Sequence, residues 1–346
     1  MINMEKIISD LFNTLHNNPE CSGKEFKTSQ IIKDFMNKNT TMEYHELPGG
    51  FYYVYKSDKG LKNIVIRADY DAVTVDTDCA KHLCGHDGHS SSLCALALLL
   101  EKLGSDNNVY LLFQSAEENG QGAKNCLEIF DNKIDVIYGQ HNLPGFEFGK
   151  VFTTKDTFAC TSCGLIIKLK GKSSHAAYPE LGLSPSKLVY ETLSLVEQYK
   201  TIEKMVTVIG VNMGDKTFGV MAHEAEIYLT IRSNSDNNLK ELKKEIIEYI
   251  DKTKGEIEYA YEEIDYFPAT INHKKSYEEI VNKLNAKDLI EPMRWSEDFG
   301  YYLQNHEGAF FGVGSGIDHP GLHTSDYSYP KDLIDITADC FYKLVK

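Results

Sequence analysis

Eight consecutive positions, residues 82–89 with the sequence HLCGHDGH, carry five side chains that can bind a metal ion or move a proton. These side chains are His82, Cys84, His86, Asp87 and His89. Imidazole, thiolate and carboxylate groups hold zinc-like and manganese-like divalent cations. The alternative is a polar turn whose histidines cap a helix, which suits one histidine better than five potential ligands in eight residues. The stretch therefore predicts a metal site.

Three predicted strands place further ligand types near this stretch. Residues 63–71 (NIVIRADYD), 109–118 (VYLLFQSAEE) and 135–141 (DVIYGQH) are apolar runs that end in acids or histidine. Helical patterns over 89–103 and 122–131 separate them, which indicates an α/β fold with a mostly parallel sheet and helices on both faces. Ligands of such sheets bind beyond the carboxyl ends of the strands. Those ends carry Asp69, Asp71, Glu117, Glu118 and His141.

The pattern changes from about residue 158. Strands are predicted over 165–171, 204–212, 225–233 and 255–264, with helices over 184–199 and 237–253. Their order, β-α-β-β-α-β, is that of a ferredoxin-like domain. A helix at 277–285, a strand at 308–314 and a closing helix from Asp332 follow. The sequence thus predicts a catalytic domain of residues 1–157 and 266–346, interrupted by an inserted domain of residues 158–265.

Composition excludes several classes of protein. The chain has 346 residues and a formal charge of −15, which argues against a nucleic-acid or anionic-membrane surface. It contains no apolar run of eighteen residues, and its N-terminal sequence has no secretory-signal pattern. The eight cysteines follow no regular framework, so reduced thiols in a cytoplasm are expected.

Taken together, the motifs resemble the amidohydrolase branch of the aminoacylase and carboxypeptidase metallopeptidases. That branch includes hippurate hydrolases, auxin-conjugate hydrolases and N-acetyldiaminopimelate deacetylases. The segments that carry the resemblance are LHNNPE at 15, RADYDAV at 67, HLCGHDGH at 82, FQSAEENGQGA at 113, GQHNLPG at 139, LKGKSSHAAYP at 169, TIRS at 230, SEDFGYYL at 296 and PGLHTSDYSYP at 320.

The resemblance implies two divalent cations, with zinc or manganese favoured and cobalt or nickel compatible. It implies five ligands: Cys84, His86, Glu118, His141 and His323. It also implies that Glu117 is the catalytic base and that His175 acts from the smaller domain. His319, four residues before His323, competes for the last ligand position. The tail GVGSGIDHPGLH followed by YPKDLID is most like that of the diaminopimelate deacetylases.

Residue chemistry adds detail to these roles. Adjacent residues point in different directions, so Glu117 and Glu118 cannot do the same job. Asp71 is expected to orient a ligand histidine. His175 would stabilise the oxyanion of a tetrahedral intermediate. Arg232, at the end of an apolar strand, could bind a substrate carboxylate through its planar fork, or form a structural salt bridge.

Two departures from the relatives concern the substrate. Only twelve residues separate Asp71 from Cys84, where many relatives carry a longer loop. The relatives' Asn-Val-Ile-Pro-Asp is replaced by residues 219–223, GVMAH, so an Asn that commonly helps to bind substrate is missing.

The leading hypothesis is an N-acyl-amino-acid amidohydrolase, most specifically an N-acetyldiaminopimelate deacetylase of bacterial lysine biosynthesis. The alternatives are a metallo-carboxypeptidase or dipeptidase, and a non-catalytic metal-binding protein on the same fold. A homodimer through the inserted domain is also expected.

Overall fold

The structure is a computed structural model and describes residues 4–76 and 79–346. Its helices are α1 (Met4–His16), α2 (Phe26–Asn39), α3 (His86–Leu103), α4 (Gly122–Asn125), α5 (Ser186–Val196), α6 (Asp236–Thr253), α7 (Lys274–Leu284), α8 (Gly300–Leu303) and α9 (Leu333–Val345). Short 3₁₀ helices cover Leu127–Asn132 and Pro179–Leu181.

The strands are β1 (Glu43–Leu47), β2 (Gly50–Tyr55), β3 (Asn63–Asp69), β4 (Val73–Asp76), β5 (Cys79–Lys81), β6 (Asn108–Gln114), β7 (Val136–Pro144), β8 (Val151–Thr153), β9 (Thr157–Ala159), β10 (Thr161–Lys170), β11 (Met205–Met213), β12 (Glu224–Ser233), β13 (Glu258–Phe267), β14 (Thr270–Ile271), β15 (Lys287–Asp288) and β16 (Gly308–Gly316). The antiparallel pair β4–β5 lies in the twelve-residue loop between Asp71 and Cys84. Residues 77 and 78 of that loop lie outside the described residues.

The chain divides into two compact units. Unit 1 comprises Met1–Phe158, Thr270–Glu291 and Glu297–Lys346. Unit 2 comprises Ala159–Ala269 and the short segment Pro292–Ser296.

An eight-stranded sheet forms the centre of unit 1, in the order β1-β2-β6-β3-β7-β16-β8-β15. Its middle strands β6, β3, β7 and β16 are parallel neighbours. Ile64, Ile66 and Ala68 of β3 pack into a core with the apolar faces of α1, α2, α3 and α9. Because side chains alternate along a strand, Arg67 points to the opposite face. There its guanidinium carbon lies 6.0 Å from the centre of the Phe299 ring. The sequence prediction of a mostly parallel α/β sheet is confirmed.

A four-stranded antiparallel sheet forms unit 2, in the order β11-β12-β10-β13. Alternate residues of β10 and β12 are buried, from Leu165 and Ile167 on one strand to Leu229 and Ile231 on the other. They share a core with α5 and α6, whose buried residues include Leu188 and Leu242. The inward-facing side chains of the strands, at every second residue, and those of the helices, at every third or fourth residue, therefore form one apolar layer.

Two local predictions differ from the structure. Helix α3 begins at His86, not at residue 89, so His86, Asp87 and His89 occupy its first turn. Gly85 precedes it with φ +100°, a left-handed conformation that favours glycine, and a Cβ there would lie 2.5 Å from Asn142 Oδ1. The helix predicted over 122–131 is only the four-residue α4, followed by a 3₁₀ helix. Among residues 4–76 and 79–346, no helix is long and apolar enough to cross a bilayer.

Candidate metal centre

Five side chains from four distant parts of unit 1 converge beyond the parallel strands. Cys84, His86 and His141 place their ligand atoms within 4.8 Å of one another, and Cys84, Glu118 and His323 do the same. His86 also groups with Glu117 and Glu118 within that distance. The structure thus brings together every ligand that the resemblance implied.

His86 is oriented by Asp71, which follows β3. The Nδ1 atom of His86 lies 3.1 Å from both Asp71 Oδ1 and the Asp71 main-chain oxygen. Both neighbours are acceptors, so Nδ1 carries the proton and the Nε2 lone pair is free. Burial would lower the pKa of His86, but the Asp69 and Asp71 carboxylates outweigh it and raise that pKa to about 10. The carboxylates around His86 therefore favour a positive charge at this position, and a cation bound through the neutral imidazole would supply it in place of the second ring proton.

His141 and Cys84 form a second pair of donors. His141 Nδ1 donates to the Asn142 main-chain oxygen at 2.8 Å, which turns Nε2 towards Cys84 Sγ at 3.3 Å. Burial, followed by the Glu118 and Glu117 carboxylates, raises the pKa of the Cys84 thiol well above its usual range. A thiolate at this position needs a cation beside it.

Glu118 and His323 complete the set. His323 Nε2 lies 3.4 Å from Glu118 Oε1, and His86 Nε2 lies 3.8 Å from the same oxygen. His323 has φ +64° and its main-chain N–H donates to Leu83 O at 2.8 Å. A non-glycine residue in this region is strained, and such strain gathers at functional sites. The competing His319 is absent from every ligand group found among the described residues.

These donors fit a bound cation. His86 Nε2 and Glu118 Oε1 are buried, and within the described part of the chain neither has a hydrogen-bond partner. Buried polar atoms rarely lack a partner, so these two atoms are consistent with binding one cation between them. Two ligands about 2.1 Å from one zinc-like ion lie roughly 3.4 Å apart, close to the separations of 3.3, 3.4 and 3.8 Å seen here.

Glu117 faces another group of carboxylates. It is buried, and its oxygens lie within 4.8 Å of those of Glu297 and Asp298. Burial, followed by the Glu297 and Glu118 charges, raises the pKa of Glu117 well above its usual range. The Asp298 main-chain N–H donates to Glu117 Oε1 at 3.4 Å.

Arg67 balances part of this negative charge. Its guanidinium is fully buried and contacts Asp69 Oδ2 at 2.6 Å, Asp298 Oδ1 at 2.7 Å and Glu297 Oε1 at 2.9 Å. The sequence placed Asp69 at a strand end beside the predicted site, but it gave no role to Arg67, Glu297 or Asp298. One signal was present: Arg67 is one of only three arginines and stands inside an apolar strand. A charge in such a run indicates a buried ion pair.

The remaining histidines of the 82–89 stretch differ in whether their ring nitrogens have partners. His89 has both ring nitrogens engaged, with Asp69 Oδ1 at 2.7 Å and Asn142 Oδ1 at 2.9 Å. His82 is buried, and the structure shows no hydrogen-bond partner for its nitrogens among the described residues. Its ring stacks on that of His16, with the centroids 6.3 Å apart.

Unit 2 holds the two other predicted site residues. His175 is exposed, and its Nδ1 accepts the Ala177 N–H at 3.0 Å. Arg232 Nη1 donates to Ser296 Oγ at 3.0 Å and to Arg294 O at 3.3 Å. No carboxylate among the described residues lies within 4.0 Å of Arg232, so the alternative of a structural salt bridge finds no partner there.

Comparison with known proteins places this geometry in a family. The family model described as Peptidase family M20/M25/M40 matches residues 65–346. Thermostable carboxypeptidase 2 of Saccharolobus solfataricus is 26% identical, covering 97% of this chain and 93% of its own length. An N-acetyldiaminopimelate deacetylase of Bacillus cytotoxicus is 28% identical, covering 96% and 95%. The fold matches the YXEP protein of Bacillus subtilis, described as a dinuclear metal binding peptidase, with a TM-score of 0.84, 20% identity and coverage of 99% and 97%.

Proposed function

The chain belongs to peptidase family M20/M25/M40 and is a metal-dependent hydrolase of amide bonds, and from that premise we propose that it deacylates N-acyl amino acids. The acyl group would be acetyl, and N-acetyldiaminopimelate is the best specific substrate. Relatives named as deacetylases, at 26% and 28% identity over nearly the whole chain, support this choice. The observation that carries it is the convergence of five ligand side chains beside the buried carboxyl of Glu117.

Cys84, His86, Glu118, His141 and His323 would hold two divalent cations, zinc or manganese before cobalt or nickel. Such cations lower the pKa of a water molecule and polarise an amide carbonyl. Asp71 keeps the His86 proton on Nδ1. Asp69 and Asn142 hold His89, three residues after His86 on the same face of α3.

Glu117 is the proposed general base. It takes the proton of the attacking water and then delivers it to the leaving amine. Its burial beside Glu297 and Asp298 raises its pKa, so its carboxylate form is a stronger proton acceptor than an exposed glutamate, and the proposed cations would help to keep that form populated. We further propose that His175 stabilises the oxyanion and that Arg232 binds the substrate carboxylate, since its fork lacks an acidic partner among the described residues.

The substrate assignment is tested with metal-reconstituted enzyme. Release of acetate from N-acetyldiaminopimelate should exceed the cleavage of a panel of dipeptides in kcat/KM. Faster cleavage of the dipeptides would favour the carboxypeptidase or dipeptidase alternative, which the carboxypeptidase relative supports.

The role of Glu117 is tested with Glu117→Gln. This substitution should lower kcat by roughly 100-fold or more, since general base catalysis contributes 10²–10⁴-fold, while the metal content stays unchanged. Glu128→Gln, on the 3₁₀ helix that follows α4, is the matched control. Unchanged turnover in Glu117→Gln would revive the non-catalytic reading.

A homodimer through unit 2 is part of the proposal. Strand β11 is an edge strand without charged residues, and Ile209 on it is 63% exposed. The other edge, β13, carries four acids and so repels a second copy. Light scattering should give a mass of about twice the 39.1 kDa of one chain. Ile209→Lys should reduce the measured mass to that of one chain, whereas the control Tyr261→Lys on β13 should leave it unchanged. A monomer of wild-type protein contradicts the dimer.

A further inference from the structure

Glu25 lies far from the predicted site in sequence but contacts the turn that carries Glu117 and Glu118. It is only 6% exposed, and its Oε1 accepts the Ala116 N–H at 2.8 Å. Ala116 immediately precedes the two glutamates and has φ +53°. The left-handed conformation is disfavoured for any residue with a Cβ, so this turn needs support from outside.

The turn is held on both sides of the strained residue. The Ala116 carbonyl accepts the Gly122 N–H at 3.0 Å, and Glu25 takes the Ala116 N–H. Two residues further on, the Glu118 N–H donates to Asp71 Oδ2 at 3.0 Å. Fixing these peptide groups fixes the directions in which the next two side chains leave the backbone.

The buried position of Glu25 is not explained by a role in stabilising α2. It stands at the N-cap of α2 but makes no side-chain cap hydrogen bond there. Glu20 does that work, because its Oε2 accepts from the Thr28 N–H at 2.7 Å and the Thr28 hydroxyl at 2.9 Å. Burial, with help from the Asp71 charge, raises the pKa of Glu25 to about 7. Burying a carboxylate costs desolvation free energy that can exceed what its contacts contribute to stability.

The same short loop reaches the neighbouring strand end. Ser22 Oγ donates to Asp71 Oδ2 at 2.6 Å, and the Ala72 N–H donates to the Glu20 main-chain oxygen at 2.9 Å. Residues 20–25 therefore contact the chain just after β3 and just after β6, from which Asp71, Glu117 and Glu118 project.

We propose that Glu25 is a positioning residue for the hydrolysis: its carboxylate holds Ala116 in the left-handed turn that aims Glu117 and Glu118. The inference rests on the proposed roles of those two residues as base and ligand. Glu25 itself touches neither substrate nor ion, and its effect passes through one backbone hydrogen bond.

Three variants separate positioning from stability. Glu25→Ala removes the acceptor of the Ala116 N–H, and Glu25→Gln keeps an oxygen that can accept it. Glu20→Ala is the matched control, because it removes the α2 cap from the same loop and leaves the turn untouched. Hydrogen–deuterium exchange of peptides covering 115–119 should speed up in Glu25→Ala alone, relative to peptides from the core of α3.

Activity supplies the second readout, with each variant reconstituted with metal at a temperature where it is fully folded. Glu25→Ala should lower kcat by roughly 10- to 100-fold, the effect of a misplacement of about 1 Å, with KM within about twofold of wild type. Glu25→Gln should recover most of the kcat, and Glu20→Ala should keep it while lowering the melting temperature.

Two results would overturn the inference: exchange at 115–119 that is equal in Glu25→Ala and Glu20→Ala, or equal kcat in those two variants. A wild-type enzyme that cleaves no N-acyl amino acid would defeat the proposed function instead. The exchange result does not depend on activity, so the two failures can be told apart.

Discussion

Replacing Asp71 with asparagine isolates the contact that orients His86. The carboxylate accepts from three donors: His86 Nδ1–H at 3.1 Å on Oδ1, and Ser22 Oγ–H at 2.6 Å and Glu118 N–H at 3.0 Å on Oδ2. Asparagine offers one acceptor oxygen and one NH₂ group. In either orientation its NH₂ must face the N–H of His86 or that of Glu118.

Both orientations weaken the metal centre. If the NH₂ faces Glu118, a buried N–H loses its acceptor at a cost of about 1–3 kcal/mol. If it faces His86, the imidazole relieves the clash by moving its proton to Nε2, which removes the lone pair needed by a cation. Loss of an orienting partner of this kind typically lowers metal affinity by roughly 10- to 100-fold, or about 1.4–2.7 kcal/mol.

The assay is competition for zinc or manganese between the protein and a chromogenic chelator, at a pH where wild type binds stoichiometrically. Asp106→Asn is the control, since Asp106 is exposed and pairs only with Lys59 among the described residues. Metal affinity of Asp71→Asn within about twofold of wild type would refute the reasoning, because the predicted loss is at least about tenfold.

Two further substitutions have signs that follow from the structure. Gly122→Ala would place a Cβ 1.8 Å from the Ser115 carbonyl oxygen, so we expect it to lower the unfolding free energy by about 1–3 kcal/mol. Gly219→Ala is the control, because a Cβ at that position would have no atom within 4 Å. Equal denaturation midpoints for the two variants would contradict this prediction. The hydrogen bond to Asp87 raises the pKa of His16 in the folded protein. The stability that this pair contributes is therefore fully present below the pKa of His16 in the unfolded chain, and it is lost as the pH rises through the pKa of His16 in the folded protein. His16→Asn should therefore cost more unfolding free energy near pH 5.5 than near pH 9 in metal-free protein, and a loss independent of pH would refute it.

The sequence predicted the parts of the site that have local signatures. Apolar strands that end in Asp71, Glu118 or His141 can be recognised from residues close together in the chain, and parallel strands bring such ends to one edge. His323 had no such signature, and only the family resemblance identified it. The stretch 82–89 was predicted to hold metal ligands, but the helical conformation of residues 86–89 was missed because polar residues and glycines precede the apolar run.

The charge network under the site could not be predicted in the same way. Arg67 and Asp298 are 231 positions apart, and Glu25 and Ala116 are 91 apart. Each pair depends on tertiary packing, which periodicity does not encode. The segment Pro292–Ser296 is a similar case, because five residues carry no pattern that would assign them to unit 2.

The position of β16 has a consequence for biosynthesis. This strand lies between β7 and β8 in the large sheet, yet it is translated long after both of them and shortly before His323. At about 5–20 residues per second, roughly 10–50 s pass between translation of His86 and of His323. During that interval the Cys84 thiol and its imidazole neighbours lack the His323 side chain, so the proposed set of five ligands cannot assemble before residue 323 has been translated.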